Sequence, residues 1–314
     1  MPARAVSGLS PAGRPAPKSR PDGAGARAVV GAEGLEWRLG ESRLALQRPA
    51  VIGILNVTPD SFSDGGLHLE PGPAVERAWT LLEEGADVVD VGAESSRPGA
   101  APVALEEEWS RLAPVLDGLR SFPLPLSVDT TKAEVARRAL AGGVSAINDI
   151  SGLRREPAIG ELAAEAGAGL ILMHMRGEPR TMQRDTRYDD LVGEVRSALA
   201  ASLDEAVRRG CHPTQVVLDP GIGFGKSLEG NLELLARVGE LGEIGRPILV
   251  GPSRKSFLGE ILGLPRRERV EGTVAACVAA LLGGARLFRV HDVGAVRRAL
   301  EVAERCRRAG RERG

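Results

Sequence analysis

From about residue 50 onward the chain repeats one unit: a short apolar run rich in β-branched residues, a loop, then a segment of helical period. The runs are Val51–Leu55, Val88–Val91, Leu124–Val128, Val144–Ile147, Leu170–Met173, Val216–Leu218, Ile248–Val250 and Leu287–Val290. They are nearly continuous rather than alternating, as strands are when a parallel sheet buries both faces. Between them, Val75, Ala78, Trp79 and Leu82 fall at i, i+3, i+4 and i+7, with Gly85 where a helix end favours a left-handed residue. Thr131 and Glu134 have the spacing of a capping box, opening a helix that ends at Gly142-Gly143. Val296, Ala299, Leu300 and Ala303 repeat the helical face near the C-terminus. Eight strand–helix units in roughly 260 residues match the ~250 of a closed α/β (β/α)8 TIM barrel. A doubly wound open sheet alternates in the same way, so pattern alone leaves both open. Residues Leu35 through Gln47 read as a β-hairpin around Gly40, placed to plug the barrel's lower mouth.

Composition narrows the function classes. The formal net charge of −1 over 314 residues argues against a general nucleic-acid or membrane surface, since both reward a strongly basic face. The longest apolar stretch, Val274–Leu282, stops at Gly283-Gly284, well short of the ~18 residues that span a bilayer. Cys211, Cys277 and Cys306 share no metal-like or redox-like spacing, and their odd number suits a reducing, cytoplasmic compartment. Residues 1–30 are rich in Pro, Ala, Gly and Arg and have no apolar periodicity. Pro11, Pro15, Pro17 and Pro21 break any amphipathic targeting helix, so the expectation is a disordered tail followed by one barrel domain over residues 31–314.

The informative residues stand where the strands end. In a barrel the loops after the strands' C-terminal ends form one rim, the rim on which active sites sit. The first run ends in Asn56, the second leads into Gly92-Ala93-Glu94, and the third ends in Asp129. The fourth ends in Asn148-Asp149, the fifth in His174 and the sixth in Asp219. The seventh runs into Gly251-Pro252-Ser253-Arg254-Lys255, and the eighth carries Arg289 followed by His291 and Asp292. Buried carboxylates without partners are expensive, so these groups should meet each other or a ligand. Asp149, one residue past Asn148, points the other way and reads as structural. Gly221-Ile222-Gly223-Phe224-Gly225-Lys226-Ser227 imitates a phosphate-binding P-loop but is one residue short of its spacing. Its glycines read instead as a tight turn over a ligand. His68, His174, His212 and His291 include no i, i+4 pair, which speaks against a structural zinc site.

At these residues the chain resembles the dihydropteroate synthases. The likeness runs from about Val51 to Val293 and rests on motifs in order: Gly53–Gly66, Glu94–Gly99, Ser127–Thr130, Asn148-Asp149, Leu172–Met175, Asp219–Phe224, Ser253–Ser256 and Arg289–Asp292. The resemblance implies a reaction in which 6-hydroxymethyl-7,8-dihydropterin diphosphate and 4-aminobenzoate give 7,8-dihydropteroate and diphosphate. It implies that Asp129, Asn148, Asp219 and Lys255 read the pterin edge while Met173 and Phe224 cover its faces, chemistry these side chains can supply. Ser96, Arg289 and His291 are implied for the diphosphate. Phe62, Arg97, Pro98 and Ser256 are implied for the arylamine. Lys255, Asp64 and Arg289 are the implied catalytic groups, and Asn56 the implied ligand of Mg²⁺, a cation that keeps most of its waters. The resemblance also implies a homodimer, joined through later helices such as 270–282.

Two positions depart from the family's usual second loop: Ala93 stands for a glycine and Ser96 for a threonine. Serine keeps the hydroxyl, and alanine matters only if that backbone needs positive φ. Rival readings are a pterin-dependent methyltransferase domain, a non-catalytic pterin-binding paralogue and a generic phosphate-binding barrel. The first should lack Phe62–Asp64 and Arg97-Pro98, the second should have lost Lys255, Arg289 or His291, and the third leaves Asp129, Asn148 and Asp219 idle.

Overall fold

The computed structural model describes residues 35–58, 71–97 and 99–311. The proline-rich tail expected over residues 1–30 lies outside them. A two-stranded antiparallel hairpin, β1 (Glu36–Leu39) and β2 (Ser42–Ala45), comes first. It turns at Gly40, whose φ of +64° is cheap only for glycine. Eight parallel strands follow: β3 (Ala50–Asn56), β4 (Val88–Gly92), β5 (Leu126–Asp129), β6 (Ala146–Asp149), β7 (Gly169–Met173), β8 (Val216–Asp219), β9 (Leu249–Val250) and β10 (Leu287–Val290). Each pairs with its sequence neighbour, and β10 pairs with both β3 and β9. A parallel bridge between Leu218 and Ile248 closes β8 onto β9. The ring is complete, so the closed barrel displaces the open-sheet alternative.

Helices alternate with the strands. They are α1 (Pro71–Glu83), α2 (Leu105–Gly118), α3 (Ala133–Ala141), α4 (Ala158–Glu165), α5 (Leu191–Arg208), α6 (Leu228–Ala236), the short α7 (Val238–Leu241), α8 (Ser256–Leu262), α9 (Val270–Gly283) and α10 (Val293–Arg311). Among the described residues no helix is long and apolar enough to cross a membrane. Two local expectations are corrected. On α1 the fully buried stripe is Ala74, Ala78 and Leu81; Trp79 sits at its flank, 43% exposed, edge-on to Phe122 at 5.2 Å. The Thr131–Glu134 capping box does not form: α3 begins one residue later and its Ala133 N–H donates to Glu156 Oε2 at 2.7 Å. Glu134 is drawn instead to Arg137 and Arg138 on the exposed face, where two guanidiniums outbid one backbone amide.

Strand parity divides the apolar residues into two cores. Val51, Val89, Val128, Ile147, Leu170 and Phe288 point outward against the helices. Ile52, Val88, Ala146, Ile171, Val217 and Leu287 point into the lower barrel, where Trp37, Leu39 and Leu46 of the hairpin segment join them. Trp37 is fully buried and its indole N–H donates to the Gln215 carbonyl at 2.8 Å. The hairpin presses so close that a Cβ at Gly169 would lie 2.7 Å from Leu39 and 2.8 Å from the Trp37 nitrogen, so β7 must start with glycine. The hairpin is the expected plug. Trp37→Ala removes that stopper at the end of the barrel opposite the strand termini. Urea unfolding should show a loss of about 3–5 kcal/mol, with substrate affinity of the folded protein unchanged; a loss under about 1 kcal/mol would show that the hairpin does not stabilise the barrel.

Candidate active site

The same parity that fills the lower barrel with apolar groups delivers polar ones above them. On β10, Leu287 faces in, Phe288 out, Arg289 in and Val290 out. The registers bring Asp90 beside Ile54 and Ser127, Asp129 beside Gly92 and Asn148, and Met173 beside Asp219. Side chains far apart in sequence therefore meet in one mouth.

Arg289 is the hub of that mouth. Its Nε donates to Asp90 Oδ2 at 2.6 Å and its Nη2 to Asp129 Oδ2 at 2.8 Å. Asp90, wholly buried, also accepts from Asn148 Nδ2 at 3.0 Å and from the Ser127 hydroxyl. Three donors, from β5, β6 and β10, thus share the one carboxylate of β4. Such sharing is what a buried charge needs to offset its desolvation. Burial opposes the charge on Arg289, but Asp90 and Asp129 outweigh it and hold the guanidinium above its ordinary pKa. Burial pushes the Asp129 carboxyl up to about 7, with Arg289 pulling it down and Asp90 adding to the rise.

Asp219, at the end of β8, is 6% exposed and accepts from the Gly221 N–H at 2.7 Å. Burial raises its pKa to about 6 against that hydrogen bond and the nearby Lys255. Lys255 lies with its Nζ 3.9 Å from the centre of the Phe224 ring. Burial and the charge of Arg289 bring its pKa down to about 8. Met173, Met175, Met182 and Phe224 form an apolar cluster beside these polar groups. The mouth therefore offers carboxylate acceptors, an amide and cationic donors around a wall suited to a flat ring.

His291 is held by Ser253 Oγ at 2.9 Å from Nδ1 and lies 3.5 Å from Asn56 Nδ2 through Nε2. Burial, with Arg254 and Arg289 next, lowers its pKa to about 2, so it is a neutral hydrogen-bonding group here rather than a cation. Ser96 lines a cavity with Asp129, Thr130, Ile150 and Met175, whereas Ser256 lines a neighbouring one with Gly223 and Lys226. Arg97 is exposed. Phe62, Asp64 and Pro98 lie outside the described residues. Asp149 turns away, as expected: its two oxygens accept from the backbone of Ser151 and Leu153 at 2.8 and 2.7 Å.

Three features escaped the sequence reading. Asp90 stands inside the run Val88–Val91, and the signal was there: one charge in an apolar strand, two residues from Val88 and so on its inner face. The second is Lys132, buried between Glu94 and Glu108. Glu94 also accepts from the Val103 N–H at 3.3 Å, so it ties the exit of β4 to the segment that leads into α2. The third is Lys226, hidden within the P-loop imitation.

A family model described as pterin binding enzyme matches residues 52–291. The dihydropteroate synthase of Synechocystis is 50% identical over 260 residues, 82% of this chain and 90% of that protein. The crystal structure of the Yersinia pestis dihydropteroate synthase with a sulfonamide drug complex is similar at a TM-score of 0.82 and 44% identity, covering 87% of this chain and 99% of that one. That of the Xanthomonas albilineans enzyme with 4-aminobenzoic acid gives 0.80 at 45% identity, covering 86% and 98%. With a matched barrel, and with the motif residues gathered at the mouth, this chain belongs to the pterin-binding enzyme family.

Proposed function

We propose that this chain is a dihydropteroate synthase, a transferase that joins 6-hydroxymethyl-7,8-dihydropterin diphosphate to 4-aminobenzoate in folate biosynthesis. The observation that carries the reading is the single inner rim shared by Asp129, Asn148, Asp219, Lys255 and Arg289, in a chain so similar to dihydropteroate synthases along its length.

The pterin lies flat against Phe224 and Met173. Asp219 accepts from its adjacent N–H donors, Asn148 and Asp129 meet the edge further round, and Lys255 donates to the ring carbonyl. Arg289 spends Nε and Nη2 on Asp90 and Asp129, which leaves Nη1 to face the substrate. Its partners fix it in place before the ligand arrives, and catalysis by positioning needs that. His291 and Ser96 add hydrogen bonds to the diphosphate. In the reaction the amine lone pair forms the C–N bond to the exocyclic methylene, and the C–O bond breaks with its electron pair leaving on diphosphate. The amine's proton passes to solvent. The family resemblance assigns Asp64 to the positive charge that builds on the pterin, Phe62, Arg97 and Pro98 to the arylamine, and Ser256, at the start of α8, to its carboxylate.

Magnesium fits the residues present. Asn56 turns its amide nitrogen toward His291, which leaves the amide oxygen for a cation, and among the described residues no group of three His, Cys, Asp or Glu could hold an ion alone. The remaining ligands would be water and diphosphate oxygens, the set Mg²⁺ prefers. Bound there, it supplies charge neutralisation of the leaving group. The protein acts as a homodimer in the cytoplasm; Leu282 on α9, 58% exposed, suits a partner's surface, and the three cysteines are unpaired thiols.

Purified protein mixed with both substrates should release diphosphate, and more slowly once Mg²⁺ is chelated; no release under any condition would refute the assignment. The acidic limb of kcat/KM should reflect Asp219, which accepts through both oxygens only when ionised, and the alkaline limb Lys255, which donates charge only when protonated. A bell between about 6 and about 8 is expected, and a flat profile across that range would remove both from binding. Asp90→Asn leaves Arg289 one carboxylate short. Chemical denaturation should show a loss of about 3–5 kcal/mol with kcat/KM reduced by at least tenfold. Unchanged stability and turnover would show that Asp90 does not anchor Arg289.

A further inference from the structure

We propose that Lys226 is a positioning residue for the pterin, fastening the loop that carries Phe224 to the end of β7. The inference rests on the reading of the mouth as a pterin site.

The loop Gly221–Ser227 takes a path few sequences can follow. Gly221, Gly223 and Gly225 have φ of +70°, +82° and +64°. A Cβ at Gly221 would collide with the His174 carbonyl oxygen, and one at Gly223 would lie 3.0 Å from the Lys255 side chain. The loop is thus wedged between β7 and Lys255, with Phe224 at its crest. Every turn of it is held from outside. Gly223 N–H donates to Asn231 Oδ1, Gln183 Nε2 donates to the Gly223 carbonyl at 3.0 Å, and the Tyr188 hydroxyl donates to the Gly225 carbonyl at 2.9 Å.

Lys226 closes the set from beneath. It is 3% exposed, and among the described residues no carboxylate forms an ion pair with it. Its Nζ instead reaches the Phe224 carbonyl at 2.8 Å, His174 Nδ1 at 3.0 Å and the His174 carbonyl at 3.3 Å. An ammonium has three protons, and here each has one acceptor. Two of the acceptors belong to His174, the first residue after β7, and the third to Phe224 itself. A buried lysine is costly, and burial brings this one down to about 7. The contacts that offset that cost all go to backbone and ring atoms of the pterin wall. His174, which burial and the Lys226 charge hold neutral at about 3, accepts through Nδ1 and so carries its own proton on Nε2.

Lys226→Met keeps the stem's packing and strips the donors from both carbonyls. Steady-state kinetics should show KM for the pterin diphosphate raised about tenfold, while KM for 4-aminobenzoate at saturating pterin diphosphate stays within threefold. Unchanged KM values, or all parameters falling together with the folded fraction, would overturn the proposal. Should that variant fail to fold, Tyr188→Phe combined with Gln183→Met loosens the same loop from its exposed side. A selective rise in pterin KM of at least threefold is then expected, and none would overturn it. Calorimetry with the pterin diphosphate separates the two levels of inference. Wild-type protein that does not bind it contradicts the functional reading, whereas wild type and Lys226→Met binding equally contradicts the role of Lys226 alone.

Discussion

Arg289 is a guanidinium set inside a barrel, and the arrangement of the mouth follows from what it takes to keep it there. Asp90 beneath it is wholly buried and has no water to solvate its charge; Asp129 beside it is nearly so. Remove the guanidinium and two carboxylates face each other in a medium of low dielectric, which is among the most destabilising arrangements a core can contain. Remove either carboxylate and the cation loses half its partners. Each of the three is tolerable only in the presence of the others, and Ser127 and Asn148 complete the hydrogen bonding around Asp90. The mouth is therefore rigid before any ligand arrives. It is also poised: burial raises the pKa of Asp129 and of Asp219, which is a penalty on each ionised carboxylate. A ligand edge rich in N–H donors relieves it.

The rest of the barrel makes such a layer affordable by separating it from everything else. Inward positions are apolar at the lower end, where Ile52, Val88 and Ile171 pack on the hairpin's Trp37 and Leu39. Two residues further along β4, β6, β8 and β10 the same face turns polar, at Asp90, Asn148, Asp219 and Arg289. Strand parity does both jobs, because moving two residues keeps the side chain inside and only raises its level. The helices and the outward core stabilise the ring without entering the mouth. Chemistry at one end and closure at the other are then independent, the division seen generally in barrels of this kind.

Much of this was legible in the sequence for a physical reason: strands buried on both faces must be apolar, so polar residues at their ends stand out. Asn56, Asp129, Asn148, Asp219, Arg289 and His291 were visible in this way, and all are found at the strand termini expected of them. Leu287–Val290 was bounded to the residue, and the hairpin turned at Gly40 as read. What stayed hidden depended on partners distant in sequence. Asp90 was absorbed into an apolar run because nothing local says that Arg289 waits 199 positions away. The Thr131–Glu134 cap was a sound local pattern overridden by Glu156 and by competing arginines. Trp79 has helical spacing but packs on Phe122 at the flank, since the stripe that faces the strands has room only for Ala74, Ala78 and Leu81. Lys226 is hidden within the P-loop imitation because two of its three contacts go to His174, 52 positions away.

The central claim is that carboxylate oxygens at the strand ends recognise a heterocycle through its N–H donors, with Asp219 the principal acceptor. Isothermal titration of Asp219→Asn with 6-hydroxymethyl-7,8-dihydropterin diphosphate, beside wild type, tests it most directly. The amide is isosteric but presents N–H groups where the ligand's own donors arrive, so affinity should fall by at least about a hundredfold while the melting temperature holds or rises. Affinity retained within a few fold of wild type would contradict the donor–acceptor scheme and with it the proposed orientation of the substrate.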